Sequence, residues 1–292
     1  MNYALIKVST LQTDIKWADP IANQQAVESA LLASAPADLY VLPEMWDTGF
    51  MASPSDLRPQ TSDLRLNFMQ RMAQRLNAAI AGSIAFSQPS ALSPQSSDSP
   101  LTPHSLPSHS PLTPLYYNRL FFVTPEETFF YDKRHLFSYA GEDKTFTAGE
   151  QPVVVEWRGV KFLLQVCYDL RFPCFSRNKL LQPSALSHHP SYLYDAVIYV
   201  ANWPESRRRV WDILLQARAL ENQCFVIGVN RVGDDPNCHY NGGSVIIDAK
   251  GKTLASVADD TVGIATAELD MHSLQTFREK FPVLRDADVI SN

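Results

Sequence analysis

Short apolar runs along the chain alternate with longer stretches in which apolar residues recur every three or four positions. Ala4–Leu11, Leu39–Pro43 and Ala79–Phe86 read as strands, and Pro20–Ala35 and Ser62–Leu76 between them read as helices. That order is the rhythm of a layered α/β fold. The next section changes character. Leu115–Val123 and Thr128–Asp132 flank Pro125-Glu126-Glu127 as a hairpin, and Val153–Trp157 and Lys161–Val166 turn at Arg158-Gly159. This is more antiparallel pairing than a doubly wound parallel sheet carries. Ala196–Ala201 is another short apolar strand, and Arg207–Asn222 is a helix with Trp211, Leu214 and Leu215 on one face. From Phe225 to Leu269, strands alternate with turns at Asp234-Asp235-Pro236-Asn237 and Lys250-Gly251.

Two segments break the pattern. Ser87–Pro114 is built almost entirely of Ser, Pro, Leu, Thr and His, and Gln182–Ser191 resembles it on a smaller scale. Neither can bury much apolar surface. The first lies between two strand-like runs, which predicts a long, mobile hairpin insertion within a single domain spanning residues 1–292.

With 292 residues, 45% apolar and 19% charged, the chain can bury a sizeable core. A net charge of −6, with Lys and Arg scattered, supplies no basic field, so nucleic acid and anionic membrane are poor partners. Apolar runs such as Cys224–Val229 are too short to span a bilayer, and Met1 leads directly into a strand-like segment, so a cytoplasmic location is expected. The four cysteines (167, 174, 224 and 238) show no CxxC pairing, which predicts free thiols. Cys238-His239 and His188-His189 have no further ligands at useful spacing, so no metal site is expected.

The candidate chemistry sits at three strand ends. In Lys161-Phe-Leu-Leu-Gln-Val-Cys167-Tyr-Asp-Leu-Arg-Phe-Pro173 a buried strand ends on a cysteine, and a sharp turn into a helix near Phe172 is predicted. Such a turn exposes the thiol and aims the following N–H groups, from Tyr168 onward, at an oxyanion. Leu39-Tyr-Val-Leu-Pro-Glu44-Met-Trp-Asp-Thr-Gly-Phe50 ends a strand on a carboxylate, and Phe129-Phe-Tyr-Asp-Lys133-Arg-His-Leu-Phe137 ends one on an ammonium. Taken singly, each has an ordinary explanation: a small core hydrophobe, a cap or ion-pair partner, a solvated lysine. Together they form a Glu–Lys–Cys set.

In this set the sequence resembles the nitrilase superfamily of carbon–nitrogen hydrolases over nearly its whole length. The resemblance implies a four-layer α-β-β-α sandwich, a catalytic triad of Glu44, Lys133 and Cys167, and a second glutamate at Glu142, seven residues before Gly149. Asp143 is adjacent, and a surface-turn role for this pair is the alternative. Val166-Cys-Tyr-Asp-Leu-Arg-Phe-Pro173, Ala201-Asn-Trp-Pro204 with Arg207, and Gln216-Ala-Arg-Ala-Leu-Glu-Asn-Gln223 resemble the omega-amidase branch, which implies hydrolysis of the side-chain amide of a small 2-oxo acid such as 2-oxoglutaramate or 2-oxosuccinamate. Homodimers through a helix face are implied in the same way. The two Pro/Ser-rich insertions match nothing in the family's core.

Amide hydrolysis at neutral pH needs a strong nucleophile, a proton for the leaving amine and donors for the oxyanion. The expected roles are Cys167 as nucleophile, Glu44 as proton carrier, Lys133 and the Tyr168 N–H as oxyanion donors, and Glu142 as a positioner of Lys133 or of the substrate amide. No metal or organic cofactor has a task in this scheme. A carboxylate on the substrate calls for a guanidinium. Arg207 is the candidate, just after Ser206, which can cap the following helix; Arg171 is the other, unless Asp169 pairs with it. Trp46, Tyr168 and Trp203 are candidate cleft walls. Carbamoylase, aliphatic amidase and nitrilase activities remain alternatives, as does a non-catalytic binding protein that uses the Pro/Ser-rich segment as a partner ligand.

Overall fold

The structure, a computed structural model, describes residues 4–51, 62–88, 115–181 and 191–288. Nearly all of both Pro/Ser-rich insertions lies outside these described residues.

Two six-stranded sheets form the frame. The first runs β16 (Gly263–Asp270), β1 (Leu5–Gln12), β2 (Leu39–Val41), β3 (Ala79–Gln88), β4 (Leu115–Val123) and β5 (Thr128–Asp132). The second runs β15 (Thr253–Ser256), β14 (Val245–Ile247), β11 (Phe225–Val229), β10 (Ala196–Val200), β7 (Val160–Val166) and β6 (Val153–Trp157). Two short pairs stand apart: β8 (Leu180–Leu181) with β9 (Ser191–Tyr192), and β12 (Val232–Asp234) with β13 (His239–Asn241). The helices are α1 (Pro20–Ala33), α2 (Ser62–Leu76), α3 (Arg208–Asn222) and α4 (Met271–Lys280).

Strand alternation assigns the layers. Phe162, Leu164 and Val166 of β7 face Val8, Val41, Leu120 and Phe122 of the first sheet and form the core between the sheets. Leu163 points the other way, where Val197, Tyr199 and Val226 join it under Trp211, Leu215 and Ala219 of α3. On the far side, Tyr40, Ile80 and Phe121 meet Val27 and Leu31 of α1 and Phe68, Met69 and Met72 of α2. This is the four-layer α-β-β-α sandwich. It explains why the central strands read as unbroken apolar runs, since both of their faces are covered.

The sheets combine parallel centres with antiparallel edges. β7, β10 and β11 are parallel and in register, with Val166 opposite Val200 and Val200 opposite Val229. Their carboxyl ends therefore lie side by side, where a layered α/β fold places its cleft. β1, β2 and β3 are likewise parallel, with Val41 opposite Ala81.

One expectation fails. No α-helix follows Cys167: residues Cys167–Arg171 form a 3₁₀ turn, because the Asp169 carboxylate folds back onto the Val166 N–H at 3.0 Å and Pro173 restricts Phe172. Past the strands and turns expected up to Leu269, α4 continues directly from β16. Asp270 caps it by accepting from Ser273 N at 3.0 Å, and Met271 and Leu274 close the end of the inter-sheet core.

β3 and β4 are antiparallel neighbours with Gln88 directly opposite Leu115, so the chain between them joins two ends that are already adjacent. Replacing Ser90–Pro111 with a short Gly/Ser loop should shift the melting temperature by no more than about 5 °C, the scale of a surface-loop edit. Differential scanning calorimetry checks this, and a collapse of the transition would show that the segment packs against the fold.

Candidate active site

Three strand ends converge between the sheets. β2 ends at Val41 and the chain passes through Leu42-Pro43 to Glu44, with Leu42 N bonded to Ala81 O at 2.7 Å. β5 ends at Asp132, and Lys133 N still bonds Asn118 O of β4 at 3.0 Å. Gly149 N reaches back to Lys133 O at 2.9 Å, in an approach so close that a Cβ on Gly149 would fall 2.1 Å from Asp132 O. Only glycine fits there. Cys167 leaves β7 with φ +46°, a left-handed conformation that costs a non-glycine residue about 1–2 kcal/mol and persists only where its surroundings enforce it.

Glu44, Lys133 and Glu142 are fully buried. Lys133 Nζ donates to Glu44 Oε1 at 3.0 Å and to Glu142 Oε2 and Oε1 at 2.8 and 3.1 Å. Asn118 Nδ2 bridges the same carboxylates, at 2.7 Å to Glu44 Oε1 and 2.9 Å to Glu142 Oε1. The remaining oxygens are also held: Asn202 N donates to Glu44 Oε2 at 2.8 Å, and Phe137 N to Glu142 Oε2 at 2.6 Å. Cys167 Sγ lies 4.0 Å from Asn202 O, on the residue whose N–H holds Glu44.

Burial opposes the charge on Lys133, but the carboxylates of Glu142 and Glu44 override it and hold the ammonium charged far above its usual range. Burial, reinforced by Glu44, raises Glu142 against the pull of Lys133. The Cys167 thiol is pushed well up, first by burial and then by Glu44, since a thiolate would add a third negative charge beside one ammonium. The surroundings therefore favour the neutral thiol of Cys167 over the thiolate, beside a carboxylate able to take its proton at the moment of attack.

The thiol opens onto a cavity of about 570 Å³ lined by Lys133, Tyr168, Asn202, Trp203, Arg171 and Arg207, with aromatic walls that include Trp17, Phe50, Phe137 and Tyr240. Arg207 stacks over Phe137, 5.3 Å from the ring centroid, and Arg171 over Trp203 at 5.2 Å. Among the described residues neither guanidinium has a carboxylate partner, whereas neighbouring Arg208 is paired with Asp212 and Asp259. A polar pair of donors on apolar walls suits a small organic anion.

A profile of the family described as carbon-nitrogen hydrolase matches residues 7–279. The chain belongs to the carbon–nitrogen hydrolase family. It is 39% identical to the omega-amidase YafV of Yersinia enterocolitica over 97% of both chains, and 31% identical to the 2-oxoglutaramate amidase of Bacillus subtilis over 96% of both. Among solved structures it is similar, at 32% identity and a TM-score of 0.84 over 99% of both chains, to a CN-hydrolase superfamily protein of Xanthomonas campestris whose crystal structure carries an arsenic adduct in the active site.

The hydrolase brings most of the sequence-predicted residues together. Glu142 points inward while Asp143 stays exposed, so the adjacent acids divide cleanly. Two readings need correction, and one open alternative closes. Trp46 does not line the cavity: it is fully buried on the helix side of the first sheet, against Phe68 at 5.5 Å. The peptide after Glu44 turns through Met45 (φ +41°), which sends the next side chain away from the cleft. Ser206 makes no cap, because a 3₁₀ turn over Glu205–Arg207 precedes α3 and places Arg207 at the N-cap position without a side-chain bond. Asp169 does not pair with Arg171. It accepts from Tyr131 Oη, Val166 N and His135 N at 2.8, 3.0 and 3.0 Å, tying the cysteine turn to the lysine loop.

Asn118 and Asn202 were not singled out as site residues in the sequence. Asn118 had a signal: with Arg119 it is one of two polar residues in a strand that is otherwise aromatic and aliphatic. Asn202 lay within a quoted motif but had no role attached; here its N–H and side chain both hold Glu44, Nδ2 bonding Glu44 O at 2.6 Å.

Because its neighbours favour the thiol, Cys167 should contribute no thiolate absorbance at neutral pH. The ultraviolet difference between the enzyme and Cys167→Ser should stay flat until strongly alkaline pH. A thiolate signal at neutral pH would reverse this reading of the site's charge.

Proposed function

We propose that this enzyme hydrolyses the side-chain amide of a small 2-oxo acid, 2-oxoglutaramate or 2-oxosuccinamate, to the dicarboxylate and ammonia through a thioester on Cys167. The observation that carries the reading is the Cys167 thiol at the mouth of the buried Glu44–Lys133–Glu142 cluster, opening onto a cavity with two guanidinia that have no carboxylate partner among the described residues. The near-full-length likeness to omega-amidase and 2-oxoglutaramate amidase supports the substrate class.

In the proposed sequence, Cys167 Sγ bonds to the amide carbon as its proton passes to Glu44. Lys133 and the Tyr168 N–H hold the oxyanion. Glu44 then gives the proton to the amide nitrogen, the C–N bond breaks and ammonia leaves the thioester. Water attacks next: Glu44 takes one of its protons, the C–S bond breaks and that proton passes to sulfur, while the acid formed gives water's second proton to the released ammonia and departs as the carboxylate. Glu142 keeps Lys133 aimed throughout. Charge, atoms and protons balance without a cofactor.

Arg207 is the proposed anchor for the substrate carboxylate, with Arg171 as the other guanidinium lining the cavity and Trp203 as an apolar wall. A single catalytic domain in a cytoplasmic homodimer completes the reading. Free thiols at all four cysteines fit a reducing compartment. Exposed Ile213 and Leu220, seven residues apart on α3, fit a paired helix face.

Ammonia release should be far faster with 2-oxoglutaramate than with glutamine. Arg207→Lys keeps the charge but loses the two-pronged contact, so kcat/KM for 2-oxoglutaramate should fall about ten- to a hundredfold while a neutral amide barely changes. Equal losses on both substrates would move the anchor to Arg171.

A further inference from the structure

The two buried carboxylates share a donor that performs no chemistry of its own. Asn118 Nδ2 lies 2.7 Å from Glu44 Oε1 and 2.9 Å from Glu142 Oε1, so both of its N–H bonds are committed to negative charge. That arrangement requires the amide to face one way only, and Ser83 fixes the orientation. Met45 N donates to Ser83 Oγ at 3.0 Å, which leaves the Ser83 hydroxyl hydrogen to be donated to Asn118 Oδ1 at 2.9 Å. The chain of bonds is therefore directional: Met45 N–H to Ser83 O–H to Asn118 amide to the two carboxylates. It starts on the peptide next to Glu44 and ends on the Glu44 side chain. Ser83 and Asn118 are both fully buried, so water cannot substitute for either.

We infer that Asn118, oriented by Ser83, is a positioning residue that keeps Glu44 and Glu142 ionised at the pH where Glu44 must accept the Cys167 proton. The physical need is plain. Two carboxylates in contact with one ammonium repel each other, and burial favours protonating one of them. A protonated Glu44 could not take a proton from sulfur. Lys133 offsets part of the cost, and the Asn118 amide, polarised by the bonds behind it, offsets more. The titratable groups facing the pair are Lys133, Cys167 and the carboxylates themselves.

The inference rests on Glu44 acting as the base for Cys167, so the test reads that step without any amide substrate. The rate of Cys167 alkylation by iodoacetamide is followed against pH by mass spectrometry of the Cys167 peptide, in wild type, Asn118→Asp and Ser83→Ala. In wild type the rate should fall on the acid side, where the base for Cys167 is lost. In Asn118→Asp that acid limb should move up by roughly one pH unit, because donors to the carboxylates are replaced by a further acid. Ser83→Ala removes a single oxygen at a site sized for a methyl group, so it keeps the question open to test if the Asn118 variant fails to fold; its limb should move the same way by a smaller amount. A merely structural role would lower the rate equally at every pH and leave the limb in place, which would overturn the inference. A wild-type limb that is absent altogether would instead reject Glu44 as the base and take the inference with it. The wrong substrate class would disturb neither outcome.

Discussion

One buried ammonium sets the terms for the rest of this molecule. Lys133 is fully buried, and an isolated charge of that size would be expelled or neutralised. It stays because Glu44 and Glu142 contact it at 3.0 and 2.8 Å, and because Asn118 and the N–H groups of Asn202 and Phe137 absorb the excess negative charge. Removing one partner of a buried pair of this kind typically costs about 3–5 kcal/mol, since the other is left unpaired. These residues come from the end of β2, the interior of β4, the segment after β5 and the end of β10. The cluster therefore also joins the first sheet to the second: Glu44, Asn118 and Lys133 belong to one, Cys167 and Asn202 to the other.

The sandwich makes that junction possible. In-register parallel strands bring Cys167, Asn202 and Asn230 out at one edge, and Asn230 Nδ2 in turn holds Trp203 O at 2.9 Å and Gly242 O at 2.7 Å. Asp169 then locks the cysteine turn to the lysine loop, which keeps Cys167 in its left-handed conformation. Strain at Cys167 and charge at its neighbours are thus both maintained by groups around them.

The strand ends were legible because buried apolar runs stop abruptly at Glu44, Lys133 and Cys167, and a charged or nucleophilic residue at such a stop has few ways to face. The layered α/β architecture followed from the same runs, and its four-layer form from the family resemblance. What sequence could not supply was direction. Trp46 stands two residues from Glu44 and looked like a cleft wall, yet the turn through Met45 carries it into the opposite layer. Ser206 had the chemistry of a cap and lost the position to a 3₁₀ turn. Asn118 was hidden inside a strand, where a polar side chain is usually a surface residue, and only the pairing of β3 with β4 places Ser83 beside it. α4 escaped notice because Met271, Leu274 and Phe277 follow a strand with no intervening turn.

The central claim is that acyl transfer passes through Cys167. Enzyme quenched with acid during turnover of 2-oxoglutaramate should carry the acyl mass on the peptide containing Cys167, found by tandem mass spectrometry, and Cys167→Ala should fold normally, form no adduct and lose turnover by several orders of magnitude. An adduct on Cys174, Cys224 or Cys238, or undiminished turnover in Cys167→Ala, would contradict the account.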